Sequence, residues 1–128
     1  MPAQDGVRTV GNPCLSGGTL EIFLEAMIPP ILVGVFGGSP VARALVRVGA
    51  ALDWDVRVDL DPLTADTSAV VVASHGRGEL PVLRAALDAD VDYIALVASR
   101  RRAAGVLDEL GATEGERARV HAPAGLDI

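Results

Sequence analysis

The chain has 128 residues and a mass of 13.2 kDa, the size of one domain. Half of the residues are hydrophobic and the net charge is −6, which disfavours a disordered chain and a nucleic-acid-binding surface. All eleven cationic side chains are arginines, so Schiff-base lysine chemistry and a P-loop lysine are excluded.

The cysteine content and the hydrophobic pattern predict a soluble, cytoplasmic protein. Cys14 is the one cysteine, so an internal disulfide is excluded. No export signal is visible at the N-terminus. The longest apolar stretch, residues 26–36, contains two prolines and has 11 residues, whereas a membrane-spanning helix needs about 20. No contact with a membrane is therefore expected.

The first 30 residues are predicted to form an N-terminal arm. Glycine and proline interrupt residues 1–18. Residues 19–25 alternate between apolar and polar side chains, which predicts a strand with Leu20, Ile22 and Leu24 on one face.

From residue 31 onward, predicted strands alternate with predicted helices. The predicted strands are residues 31–36, 56–60, 69–73, 93–97 and 119–121. The predicted helices are residues 41–52, 79–88 and 100–110. Such alternation is typical of an α/β fold in which helices cover both faces of a parallel sheet.

The turn after the first core strand has features of a phosphate-binding turn. Gly37, Ser39 and Ala42 occupy the three small-residue positions of a dinucleotide-binding motif, and Gly38 lies between the first two. The Cβ of Ser39 stands where a phosphate would approach the backbone, but its hydroxyl can contact a phosphate at the helix N-terminus. Ser39 followed by Pro40 is also a favourable start for an ordinary helix. Both interpretations stay open.

Polar residues also follow two other predicted strands. Asp59 lies 22 residues after Gly37, close to the spacing of an acidic residue that binds a ribose hydroxyl, and Asp61 is an alternative. His75 follows the strand at 69–73, on the same predicted edge of the sheet. Solvated positions at strand ends are the alternative interpretation for these residues.

An arginine cluster begins the last long helix. Ser99, Arg100, Arg101 and Arg102 lie where the helix dipole is already positive, and an anionic ligand would offset that repulsion. A solvated face is the alternative. His121 lies near the end of the chain, and two histidines with one distant cysteine predict no structural metal centre.

Four segments resemble the XdhC/CoxI family, accessory proteins that mature molybdenum hydroxylases such as xanthine dehydrogenase and carbon monoxide dehydrogenase. The segments are residues 14–25 (CLSGGTLEIFLE), 35–45 (VFGGSPVARAL), 98–104 (ASRRRAA) and 119–128 (RVHAPAGLDI). The resemblance implies a Rossmann-like domain at residues 31–128, preceded by the remnant of another domain at residues 1–30. It also implies molybdenum cofactor binding and help in cofactor sulfuration and insertion. The implied partners are the hydroxylase, a cysteine desulfurase and a second copy of the chain.

The resemblance also carries over individual residues. It implies cofactor contacts at Gly37, Ser39, the 99–101 loop and His121. Cys14 matches a cysteine near the end of the family's first domain; its thiolate is a candidate ligand for molybdenum, and an inert free thiol is the alternative. The chain departs from the family between Leu60 and Ala69, where eight residues replace the usual helix and strand. Most of the family's first domain is missing, and the chain ends at Ile128 where relatives continue into a closing helix.

Together these features predict a reduced Rossmann-like sheet in the order 2-1-3-4 and a non-catalytic maturation factor. Its ligand is expected to be a phosphate-bearing cofactor, either molybdenum cofactor or an NAD(P)-like nucleotide. The predicted contacts are the backbone of Gly37, Gly38 and Ser39, the charges of Arg100 and Arg101, and the rings of His75 and His121. The alternatives are an NAD(P)-dependent oxidoreductase and a protein-interaction module without a ligand.

Overall fold

A computed structural model describes residues 6–126 as alternating strands and helices. The elements are β1 (Leu32–Phe36), α1 (Pro40–Ala51), β2 (Asp55–Val58), β3 (Ala69–Val72), α2 (Glu79–Asp88), β4 (Tyr93–Leu96), α3 (Arg100–Leu110), α4 (Glu114–Arg119) and β5 (Val120–His121). The strands form one parallel sheet in the order β2-β1-β3-β4-β5. This order confirms the predicted α/β class and the predicted arrangement of the first four strands.

The two faces of the sheet form separate cores because strand side chains alternate between faces. On one face, Val33 and Val35 of β1 pack with Ala42 of α1. On the other face, alternate residues of β3 and β4 pack against α2 and α3, with Leu83 and Ile94 fully buried. The helices therefore hold the strand ends, and the loops that follow them, in fixed positions.

The connection from β2 to β3 crosses the sheet without a helix, as its length predicts. Thr67 is buried and its hydroxyl accepts from the Thr64 amide at 3.4 Å, which closes a turn just before β3. Leu60 and Leu63 pack against the core on the α2 side of the sheet. These two leucines provide apolar cover where a crossover helix would otherwise lie.

Helix α4 was not predicted, and its start is defined by polar contacts. Thr113 accepts from the Glu116 amide, and the Glu116 carboxylate accepts from the Thr113 amide, forming a capping box. Glu116 also accepts from Arg84 of α2 at 2.7 Å. The Arg84 guanidinium, followed by the Thr113 amide, lowers the pKa of Glu116 from 4.5 to about 2. One carboxylate thus starts α4 and joins it to α2.

Glu116→Gln is expected to lower the melting temperature at pH 7, with the difference shrinking in acid. The pKa is lower in the folded state, so the ionised carboxylate stabilises the fold above pH 4.5 and loses that effect as the pH falls toward 2. Glutamine retains the capping geometry, so the variant isolates the charge. Thermal unfolding from pH 2 to 7 measures the effect, with Glu114→Gln as the control. A difference that does not depend on pH would contradict this explanation.

The N-terminal arm contains no strand in its described part, so the strand predicted at residues 19–25 is wrong. Leu20, Ile22 and Leu24 are 82%, 67% and 85% exposed. Alternation makes one face apolar, but a strand also needs a neighbour for its backbone hydrogen bonds, and within residues 6–126 none pairs with this segment. The assignment of the arm to a domain remnant stays a prediction.

No helix within residues 6–126 is both long enough and apolar enough to cross a bilayer.

Candidate functional site

A cleft of about 670 Å³ opens where the loops after β1, β2 and β3 meet. After β1 the chain passes through α1 to β2 on one side, whereas β3 lies on the other side of β1. Open α/β sheets bind ligands at such a switch in strand order. The polar and glycine residues that line the cleft are Gly37, Gly38, Ser39, Asp59, Ser74, His75, Arg77 and Gly78. Five of the predicted site residues are therefore neighbours around one cleft.

Gly37 allows the first loop to pack directly on the end of β3. Its φ is +105°, a conformation that side chains rarely adopt. A Cβ at this position would lie 2.5 Å from the Ala73 carbonyl oxygen and 2.6 Å from the Ser74 Cα. By contrast, a Cβ on Gly38 would meet no described atom within 4 Å. Gly37 thus shapes the floor of the cleft, and Gly38 leaves its interior open.

Ser39 caps helix α1, as one of the two interpretations of the sequence predicts. Its Oγ accepts from the Ala42 amide at 3.2 Å, and Pro40 begins the helix. Capping uses the oxygen as an acceptor, so the hydroxyl hydrogen can still be donated to a ligand. The cap and a phosphate contact are therefore compatible at this residue.

Arg43 orients the peptide group that joins Gly38 to Ser39. Its Nη1 donates to the Gly38 carbonyl oxygen at 2.6 Å. In a trans peptide the carbonyl and the following N–H point in opposite directions. The Ser39 amide therefore points away from Arg43, near the positive end of the α1 dipole, which suits an anion.

Asp59 makes the β2 side of the cleft negative. Its Oδ1 accepts from the Gly37 amide at 3.4 Å. A phosphate placed at this end would meet a carboxylate, whereas a hydroxyl or N–H group would meet an acceptor. The cleft is therefore polarised, with an acceptor at Asp59 and donors at Gly38 and Ser39.

The loop from β3 to α2 is held by a buried ion pair. Glu79 is 5% exposed, and its Oε1 accepts from the Gly76 amide at 2.9 Å. Arg102 of α3 donates to both Glu79 oxygens, at 2.9 and 2.8 Å, and to the Val97 carbonyl at 3.2 Å. One carboxylate thus joins α3 to the loop at Gly76, the residue that follows His75.

Two cleft residues with polar side chains, Ser74 and Arg77, are not singled out by the sequence analysis, and neither is Gly78. Both lie in the segment Ala-Ser-His-Gly-Arg-Gly beside His75. The position of this segment after a buried strand was a usable signal, because every residue of such a loop lies at the same edge of the sheet. Arg77 brings a positive charge into the cleft.

The structure separates the arginine cluster from this cleft. Ser99 caps α3 by accepting from the Arg102 amide at 3.3 Å, and together with Arg101 it lines a second groove. Arg100 lines neither the cleft nor that groove. Arg77, and neither Arg100 nor Arg101, is thus among the residues that line the cleft, and a cofactor contact by Arg100 or Arg101 stays a prediction.

His121 and Cys14 also lie outside the cleft. The His121 ring stacks on Tyr93, with ring centroids 4.5 Å apart and 18° between the planes, so it does not line the cleft as expected. Cys14 is exposed in the arm, where its amide donates to the Asn12 side chain at 3.1 Å. Among residues 6–126, no three histidine, cysteine or acidic side chains group together as metal ligands. A molybdenum contact at Cys14 stays a prediction.

Comparisons with known proteins give a family match, a curated relative and a solved structure of similar fold. Residues 33–128 match the family described as the XdhC Rossmann domain. The chain is 30% identical over 121 residues to the molybdenum cofactor insertion chaperone PaoD of Escherichia coli (strain K12), covering 87% of this chain and 38% of that protein. A crystal structure of a xanthine dehydrogenase from Bacillus halodurans aligns with a TM-score of 0.59 and 18% identity, covering 78% of this chain and 37% of that one. The latter likeness concerns the fold alone.

Proposed function

Because the chain belongs to the XdhC family, we propose that it is a maturation factor that holds molybdenum cofactor for insertion into a molybdenum hydroxylase. The relative PaoD carries the name of an insertion chaperone, and the chain spans 38% of its length. The target is proposed to be of the xanthine or carbon monoxide dehydrogenase type. A cysteine desulfurase, a second copy of the chain and a cytoplasmic location complete the proposal.

The observation that carries the proposal is the polarised cleft at the switch in strand order. The Gly38–Ser39 turn and Arg77 supply donors and positive charge for a phosphate group. Asp59 supplies an acceptor for an N–H or O–H group of the same ligand. In this proposal the residues bind and orient the cargo, which remains chemically unchanged until the hydroxylase takes it.

Gly38→Val tests this role because Gly38 lines the cleft and a Cβ there would meet no described atom within 4 Å. The chain is co-expressed with a molybdenum hydroxylase in cells that lack other maturation factors. We expect the unaltered chain to raise the molybdenum content and activity of the hydroxylase, and Gly38→Val to lose most of that effect. Gly11→Val is the matched control, since Gly11 is also open but lies in the arm.

Two results would contradict the proposal. One is a hydroxylase whose molybdenum content is the same with and without the chain. The other is full stimulation by Gly38→Val. Hydride transfer from NADPH catalysed by the purified chain would favour the oxidoreductase alternative.

A further inference from the structure

The β3 side of the cleft contains a hydroxyl group that the fold does not use. We infer that Ser74 determines ligand specificity by donating a hydrogen bond from its Oγ to an anionic phosphate oxygen, an inference that rests on the proposed function. Ser74 directly follows Ala73 at the end of β3 and lines the cleft. This residue therefore lies where a ligand of the glycine turn would reach the opposite loop.

The Ser74 hydroxyl is buried, and no described group forms a hydrogen bond with it. The Ser74 Oγ is inaccessible to solvent and has no hydrogen-bond partner within residues 6–126. Buried polar atoms in folded proteins nearly always have partners, because burial without one is unfavourable. Such an atom at a cleft is explained if its partner is supplied by a bound molecule.

Other hydroxyls near the carboxyl edge have clear structural duties. Ser39 caps α1 and Ser99 caps α3, each by accepting from a backbone amide. Helix α2 begins at Glu79 after the N-cap residue Gly78, which provides no side-chain cap, and the Gly76 amide donates to Glu79. The described contacts at the start of α2 therefore do not use the Ser74 hydroxyl.

The position of Ser74 also suits a ligand held by the glycine turn. A Cβ on Gly37 would lie 2.6 Å from the Ser74 Cα, so the two loops touch at the cleft floor. Because the Ser74 Oγ is inaccessible to solvent in its present position, binding a molecule in the cleft requires rotation about the Cα–Cβ bond to another staggered position. With Arg77 in the same loop and Asp59 on the far side, an acceptor oxygen is favoured at Ser74 and an anion is disfavoured at Asp59. The combined preference is for a phosphate ester or diphosphate.

The test compares stability with affinity in Ser74→Ala and Ser74→Thr. Inorganic pyrophosphate and ADP serve as probes in titration calorimetry, with adenosine as the uncharged control. We expect Ser74→Ala to bind both phosphate probes about tenfold more weakly or worse. Its melting temperature should be unchanged or higher, because an unpaired buried hydroxyl has been removed. Ser74→Thr keeps the hydroxyl and should retain affinity, and Ser68→Ala, at the opposite end of β3, is the control.

The outcomes separate this inference from the proposed function. Equal affinity in Ser74→Ala, or a lower melting temperature that Ser74→Thr restores, overturns the inference, because the hydroxyl is then idle or structural. Failure of the unaltered chain to bind either phosphate probe overturns it as well. Phosphate binding that depends on Ser74, in a chain that does not load the hydroxylase, supports the inference and rejects the proposed function.

Discussion

Replacing Gly37 with alanine is expected to destabilise the fold by about 3 kcal/mol or more. The added Cβ would lie 2.5 Å from the Ala73 carbonyl oxygen and 2.6 Å from the Ser74 Cα, and these backbone atoms cannot move aside as a flexible side chain can. Overpacking costs about 1–3 kcal/mol, and an unfavourable backbone conformation about 1–3 kcal/mol more. The φ of +105° makes both effects apply at this residue. Urea unfolding measures the change in the free energy of unfolding.

Gly38→Ala is the control for this prediction. A Cβ there meets no described atom within 4 Å, and Gly38 is not among the positive-φ residues, so its free energy of unfolding should change little. If both variants unfold at the same urea concentration as the original chain, the loops after β1 and β3 do not pack as described.

Replacing Glu79 with alanine is expected to cost about 2–3 kcal/mol and to loosen one wall of the cleft. Breaking a buried ion pair commonly costs about 3–5 kcal/mol because the remaining charge loses its partner. The Arg102 side chain is 37% exposed and keeps its bond to Val97, so water moderates the loss and the lower figure is expected. The Gly76 amide also loses its acceptor. Urea unfolding and hydrogen exchange at the Gly76 amide report the two effects.

Glu109→Ala is the control, since Glu109 is an exposed carboxylate on α3, the helix that also carries Arg102. Arg102→Met and the double variant complete a cycle that isolates the pair. If the two single losses simply add in the double variant, the ion pair does not join the loop to α3. Unchanged exchange at Gly76 would show that Glu79 does not fix the loop.

Most of the fold follows from hydrophobic periodicity, because buried strands and amphipathic helices have distinct patterns. The strand expected at residues 31–36 is observed at Leu32–Phe36, and the helix expected at 79–88 is observed at Glu79–Asp88. Helix α4 was not predicted because its six residues carry no apolar stripe. The spacing of Thr113 and Glu116, which form a capping box, was the signal for its start. The strand predicted at residues 19–25 is wrong although its pattern is clear, because alternation cannot show whether a partner strand exists.

The site was only partly predictable because a loop's position follows from topology, whereas a side chain's direction depends on its local partners. Gly37, Asp59 and His75 were placed correctly at the cleft by their strands. Arg101 lies after β4 and His121 ends β5, yet the first lines another groove and the second stacks on Tyr93. The Glu79–Arg102 pair spans 23 positions, and nothing in the local sequence pattern indicates it.

The helix-free connection after β2 leaves that strand at one margin of the sheet, where its outer backbone groups are open to another chain. Asp55 and Arg57 alternate along its four residues and form an exposed ion pair at 2.7 Å. Solvent screening makes such a pair a minor source of stability. Its charges instead oppose stacking of a second molecule along the strand, since both would have to be desolvated. Charged side chains on an edge strand disfavour pairing with the sheet of another molecule, and Asp55 and Arg57 supply such charges here.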